Sequence, residues 1–189
     1  TEELISLYKE NTKKADEKKV LQKALKNAIN SLYGALANKF FPMFNQDMAR
    51  SITGNGRFFI NLTGSNVDKY LHDLSKSEKP YWIYSDTDSC YFALNKIGDA
   101  LSKDKTLRES KNTIDNFIES KIQPKVEESI LEMKEVFNAV DDQKIGMKRE
   151  VIFKGEVWLA KKKYFMRELD SEGIEYLDED NPEIKKQGI

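Results

Sequence analysis

The sequence has 189 residues, 31 of them Lys or Arg and 32 Asp or Glu, so 31 − 32 leaves a formal net charge of −1. That length suits one domain with a core able to fold without staples. The balanced charge excludes a general cationic coat, so any nucleic-acid surface must be a local basic patch. A single cysteine, Cys90, excludes an internal disulfide and multi-Cys zinc sites and fits a reducing compartment. A single histidine, His72, excludes paired-His metal sites and leaves the chemistry to carboxylates and lysines. No apolar run approaches the roughly 20 residues that span a bilayer, and no secretory signal opens the sequence. The expectation is therefore no membrane association. The first residue is Thr1 rather than Met, which fits either a processed chain or a piece of a longer one.

Residues 2–33 read as helix, with a point of interruption expected near Asn11 and Thr12. Val20, Leu21, Ala24, Leu25, Ala28, Ile29 and Leu32 recur at helical spacing and form one apolar face. Gly34 is expected to end this helix. A second helix is predicted over 52–74 from Ile52, Phe59, Ile60, Thr63, Val67 and Leu71. Within it, His72 reads as a solvated or core-edge residue. Past Pro80, the β-rich runs YWIY and CYFAL flank the turn-forming centre SDTDS, which is the pattern of a hairpin. Helical spacing returns over 107–137, where Pro124 kinks the helix or starts a second one. EVIF, EVWLA, KYFMREL and GIEYL then read as strands. The fold class is α+β, an antiparallel sheet backed by long helices, with one helical layer on one sheet.

Three stretches carry chemistry. At 100° per residue, Lys19, Lys23, Lys26, Asn30 and Tyr33 fall within a stripe of roughly 80°, opposite the apolar face. A solvated lysine face is the ordinary reading. The continuation into Asn30 and Tyr33 adds hydrogen-bonding groups suited to a polyphosphate with an attached base. In the hairpin, Asp86 and Asp88 are two residues apart and, if extended, share one side of the strand. Two carboxylates held together are costly unless a cation sits between them, and hard ions such as Mg²⁺ take such oxygen ligands. A bare D-x-D is more often an ordinary turn. A calcium loop is excluded, because Cys90 and Tyr91 occupy the positions that need a ligand and a glycine. Finally, residues 144–164 hold seven basic side chains (Lys144, Lys148, Arg149, Lys154, Lys161, Lys162, Lys163) against Glu150 and Glu156. Residues 168–180 reverse this with seven acids. The near-zero net charge thus hides strong segregation.

YSDTDS resembles the Y-G-D-T-D-S motif of family B DNA polymerases, with Ser85 where glycine is usual. KNAINSLYGALAN resembles the family's K-x-x-x-N-S-x-Y-G fingers-helix signature at Lys26, Asn30, Ser31, Tyr33 and Gly34. The run from Lys161 to Tyr164 resembles K-K-R-Y, with Lys163 in place of arginine, which loses a bidentate fork but keeps the charge. Glu150, in MKREVIF, resembles a further carboxylate near the family's catalytic centre. The three motifs fall in the family's order, and their spacing is most similar to the bacteriophage replicative branch.

The resemblance implies a polymerase palm over 39–189 with a fingers-helix stub over 1–38. It implies a DNA-directed DNA polymerase that adds deoxynucleotides to a primer 3′-end by two-metal phosphoryl transfer. The implied cofactor is Mg²⁺ in a two-ion site, with Mn²⁺ as an alternative ion, and the substrate a dNTP. Asp88 would be the direct ligand of both metals, Asp86 would have a supporting role, and Glu150 is a weaker match. Lys26 would bind the triphosphate, with Asn30 beside it and Tyr33 and Gly34 against the nascent base pair. Lys161, Lys162, Lys163 and Tyr164 would hold the primer–template DNA. A sliding clamp is a further implied partner, and the cytoplasm of a bacterial host the implied location.

The family's earlier D-x-x-S-L-Y-P motif, which supplies a second metal-binding Asp, has no match. The run from Glu3 to Tyr8 mimics it, but Glu3 replaces the Asp, Lys9 replaces the proline, and only 17 residues separate Tyr8 from Lys26. That run reads as amphipathic helix. The expectation is a palm portion inactive alone and completed by an N-terminal polymerase portion, from the same gene or a separate chain. The competing reading is a non-catalytic nucleic-acid-binding palm module or scaffold. A palm-fold nucleotidyl cyclase explains neither the Lys26–Tyr33 helix nor the lysine run.

Overall fold

The computed structural model of the chain describes residues 2–139 and 145–188. These divide into two compact units, Thr1–Asn55 and Gly56–Ile189, each considered by itself. No helix among the described residues is long and apolar enough to cross a membrane.

The first unit is dominated by α1 (Glu2–Ala37). The helix is not interrupted at Asn11 and Thr12; there the Thr12 hydroxyl donates back to the Tyr8 carbonyl at 2.9 Å, a bond compatible with a continuous helix. It also runs through Gly34. A helical glycine costs about 1 kcal/mol, which the continuing hydrogen bonds of the helix outweigh. The helix stops at Asn38, whose side-chain carbonyl accepts the Phe40 N–H. Asn45 then opens α2 (Gln46–Ser75), its side-chain oxygen accepting the Met48 N–H at 2.9 Å. That cap starts α2 six residues earlier than the apolar spacing alone suggests.

In the second unit, α2 delivers Val67 and Leu71 into a core shared with Tyr81, Ile97, Ile122 and Val126. The hairpin forms as expected from β1 (Trp82–Asp86) and β2 (Ser89–Phe92), paired antiparallel. The Asp68 carboxylate fixes its entry by accepting the Tyr81 and Trp82 N–H groups, both at 2.8 Å. Gly64 of α2 lies against Trp82. A Cβ there would stand 2.6 Å from the indole, so the helix and strand approach only because the residue is glycine. His72 is a core-edge residue: its Nδ1 lies 2.7 Å from the Ser77 carbonyl, and its ring meets Tyr81 edge-on.

A short helix that the sequence reading missed, α3 (Asn95–Ser102), follows the hairpin. Next come α4 (Leu107–Phe117), a widened π-helical turn over Ile118–Ile122, and α5 (Gln123–Val136) with Pro124 in its first turn. Pro124 has no N–H to give, so the irregular turn falls just before it and a second helix starts. Thr106 and Glu109 cap α4 reciprocally.

The expectation of one sheet is corrected. β1 and β2 form a two-stranded sheet, separate from a four-stranded one. The latter contains β3 (Val151–Ala160), β4 (Lys163–Ser171), β5 (Ile174–Glu175) and β6 (Ile184–Gln187). β4 is central, with β3 along one edge and β5 and β6 along the other. The runs EVIF and EVWLA are a single strand. They look separate because Gly155, at φ +79, forms a bulge between them.

Candidate functional site

The carboxylate hairpin is sharper than an extended strand pair. Asp86 ends β1, Thr87 and Asp88 make the turn, and Ser89 opposite Asp86 begins β2. The Asp88 N–H donates to the Asp86 carbonyl across Thr87, which is held at φ +45. A β-branched residue rarely adopts that backbone, so strain sits between the two aspartates. The extended arrangement that would put the two carboxylates on one side is therefore not adopted here, because Thr87 and Asp88 form the turn itself. Asp86 is partly buried. Its Oδ1 accepts the Thr87 hydroxyl at 3.1 Å and pairs with the Lys162 ammonium at 3.3 Å. Asp88 is exposed and lines a cavity of about 970 Å³ whose walls include Glu150, Lys111 and Arg149. Among the described residues, no three His, Cys, Asp or Glu side chains form a ready metal cluster. Cys90 lines the same cavity. Burial pushes its thiol up to about 11.

Behind the tip, the two sheets meet through aromatic rings. Tyr84 of β1 and Tyr91 of β2 pack on Trp158 of β3, with ring centroids 4.7 and 5.5 Å away. Tyr164 of β4, the cross-strand partner of Trp158, lies 4.7 Å from the same indole. The Tyr91 and Tyr164 hydroxyls are 3.2 Å apart. Burial, and then the neighbouring Tyr91, push the Tyr164 phenol well above its ordinary value, so it stays neutral. Lys161 and Lys162 form the β3–β4 turn, and Ala160 pairs with Lys163 across it. All three lysines are exposed. The turn therefore carries three exposed lysines, of which Lys162 meets the carboxylate hairpin.

Glu150 precedes β3, and its backbone carbonyl accepts the Glu172 N–H at 2.7 Å. Its neighbour Arg149 is anchored by Asp170 of β4 and, through Nε at 3.0 Å, by Asp115 of α4. Lys111 of α4 reaches Asp170 at 3.4 Å and Glu175 at 2.9 Å. This ionic network ties helix to sheet directly behind Glu150. Nothing in the local sequence marks Asp170 or Lys111 as buried, since both are charged residues in ordinary-looking segments. The aromatic cluster was equally unmarked, because Tyr84, Tyr91 and Trp158 read only as strand formers.

The first unit carries Lys26, Asn30, Tyr33 and Gly34, all on α1, with Lys26, Asn30 and Tyr33 exposed. The helix is continuous, so these residues do share one stripe with Lys19 and Lys23. A Cβ on Gly34 would meet nothing within 4 Å among the described residues. The opposite apolar face is also uncovered, with Val20, Leu25 and Ile29 each more than half exposed. Lys144, counted with the basic patch, lies outside the described residues.

Comparison with known proteins bears on this arrangement. The family model described as DNA polymerase family B matches residues 6–127. The DNA-directed DNA polymerase of Escherichia phage RB69 is 30% identical over 173 residues, covering 85% of this chain and 19% of that protein. That of Enterobacteria phage T4 is 27% identical over 198 residues, covering 98% of this chain and 22% of that protein. DNA polymerase 1 of Sulfolobus acidocaldarius is 33% identical over 84 residues, which is 44% of this chain and 9% of that protein. The chain thus spans 19% and 22% of the two phage relatives it matches. With a model match over more than half its length and the hairpin, helix and lysine-turn motifs in one order, the chain belongs to DNA polymerase family B.

Proposed function

We propose that this chain is the palm portion of a DNA-directed DNA polymerase, with the lysine-striped helix as part of its fingers. In this reading it extends a primer 3′-end by phosphoryl transfer from a dNTP. The observation that carries the reading is the juxtaposition in the second unit. An exposed carboxylate, Asp88, lines a cavity with Glu150. Its neighbour Asp86 pairs with a lysine of an exposed basic turn.

The donor set suits a hard divalent cation. Asp88 offers exposed carboxylate oxygens in an open cavity, with room for the water and phosphate ligands such ions keep. Asp88 would hold the metal, Glu150 would face it from the β3 side, and Asp86 would stand behind. Bound divalent ions would supply charge neutralisation at the transferring phosphoryl group and a more acidic primer hydroxyl. The site as read here lacks one carboxylate, which a segment outside this sequence would contribute.

The remaining roles fall to the chain's own groups. Lys26 neutralises triphosphate charge, and Asn30 supports it. Tyr33 and Gly34 border the base. Lys161, Lys162 and Lys163 hold primer–template phosphates, and Tyr164 braces the turn from beneath.

Calorimetric titration of Mn²⁺ into the chain with bound primer–template and dNTP tests this. The expected result is a binding heat that Asp88→Ala abolishes. Salt-dependent duplex binding with no metal heat at all would instead favour a non-catalytic binding module.

A further inference from the structure

Lys162 occupies an unfavourable place for its residue type. It is the second residue of the β3–β4 turn, at φ +62, in the left-handed region that favours glycine or asparagine. A lysine stays there only where its surroundings hold it. Two interactions do so, and a third segment lies close by. Its backbone N–H donates to the Tyr84 hydroxyl at 3.2 Å, across 78 residues of sequence. Its ammonium pairs with Asp86 at 3.3 Å. Its carbonyl is backed by Gly188, which follows β6, so closely that a Cβ on Gly188 would collide with the carbonyl oxygen.

Tyr84 and Asp86 are two residues apart on β1 and so project to one side of the hairpin. One strand face thus holds both the backbone and the side chain of a single lysine. The ion pair is solvent-exposed, with Lys162 at 55%, and contributes little to stability. The tyrosine bond differs in kind. The Tyr84 ring is fixed against Trp158 and Tyr91, so its hydroxyl is a placed acceptor rather than a mobile one.

We propose that Tyr84 is a positioning residue, whose hydroxyl locks the Lys161–Lys162 turn to the carboxylate hairpin so that the duplex-binding lysines and the catalytic carboxylate are set at one fixed spacing. This rests on the reading of Lys161–Lys163 as the duplex-binding group. It assigns the tyrosine a task separate from packing, which its ring alone would perform.

The test uses Tyr84→Phe in the full chain, because phenylalanine keeps the ring against Trp158 and removes only the acceptor. Two readouts are needed: amide hydrogen exchange at Lys162, and affinity for a short primer–template duplex across a salt series. The expected results are exchange at least about tenfold faster and duplex binding about fivefold weaker. The slope of affinity on salt should not change, because every lysine is retained. An unchanged thermal midpoint would separate this from general loosening of the fold. Unchanged exchange overturns the proposal, and so does faster exchange with undiminished affinity, since the hydroxyl would then be a local bond without consequence for DNA. Failure of the premise, that these lysines bind the duplex, reads differently. In that case replacing all three lysines leaves affinity intact, whatever Tyr84→Phe does to exchange.

Discussion

Asp170 is a carboxylate only 1% exposed, and it survives there because two cations meet it at once. Burial alone would raise its pKa. The Arg149 guanidinium, the Gly173 N–H and the Lys111 ammonium outweigh burial and hold it below its ordinary 3.8. For Lys111 burial also opposes the charge, and Glu175 and Asp170 together still hold it above its ordinary 10.5. A depressed carboxylate stabilises the fold above its unfolded value, and that contribution fades as pH falls through the lower folded value. A raised lysine stabilises below 10.5, and its contribution fades as pH climbs past that. The network's contribution should therefore be intact between roughly pH 4 and pH 10. Asp170→Ala leaves Arg149 and Lys111 without their shared partner and should cost about 3–5 kcal/mol. Urea unfolding at pH 7 measures this, and the difference from wild type should narrow below pH 3.8. A cost that stays constant down to low pH would contradict the role given to the carboxylate's charge.

Among the elements, α2 and α1 use glycine in opposite ways. Gly64 exists for the fold, because Trp82 fills the space a side chain would take. Gly64→Ala should destabilise the chain by about 1–3 kcal/mol in urea unfolding. Gly34 sits in α1 with open space around it. Gly34→Ala should stabilise that helix by about 0.5–1 kcal/mol, yet lower nucleotide use in primer extension. A Gly34→Ala variant that is both more stable and fully active would remove the base-facing role. Elements that rest on local patterns could be read from sequence: α1 and α2 by apolar spacing, and the hairpin by its turn chemistry. α3 escaped because eight residues give too little periodicity, and β6 because its IKKQ run carries no alternation of apolar and polar residues. β3 was split by Gly155, whose bulge reads as a break when only the sequence is in hand.

At the scale of the whole molecule, the net charge of −1 conceals a basic turn opposed by an acidic C-terminal stretch. Replacing Lys161, Lys162 and Lys163 by Ala should weaken duplex binding. It should also flatten the logarithmic salt slope by about 0.9 for each phosphate no longer neutralised. Fluorescence titration at several salt concentrations reads both, and an unchanged slope would mean that the duplex lies elsewhere. The candidate site was legible where residues sit in contiguous motifs: Asp86 and Asp88, Lys26 to Gly34, and Lys161 to Tyr164. What tertiary packing alone decides was not legible. That includes the pairing of Asp86 with Lys162, the Tyr84 hydroxyl that accepts the Lys162 N–H, and the buried Asp170 that anchors Arg149. The claim that joins these parts is that Asp88 supports phosphoryl transfer. Primer extension by the intact polymerase carrying this sequence, with Mg²⁺ and dNTP, tests it most directly. Asp88→Ala should lower the rate by about 10³-fold or more with duplex affinity retained, whereas a rate within about twofold of wild type would contradict that role.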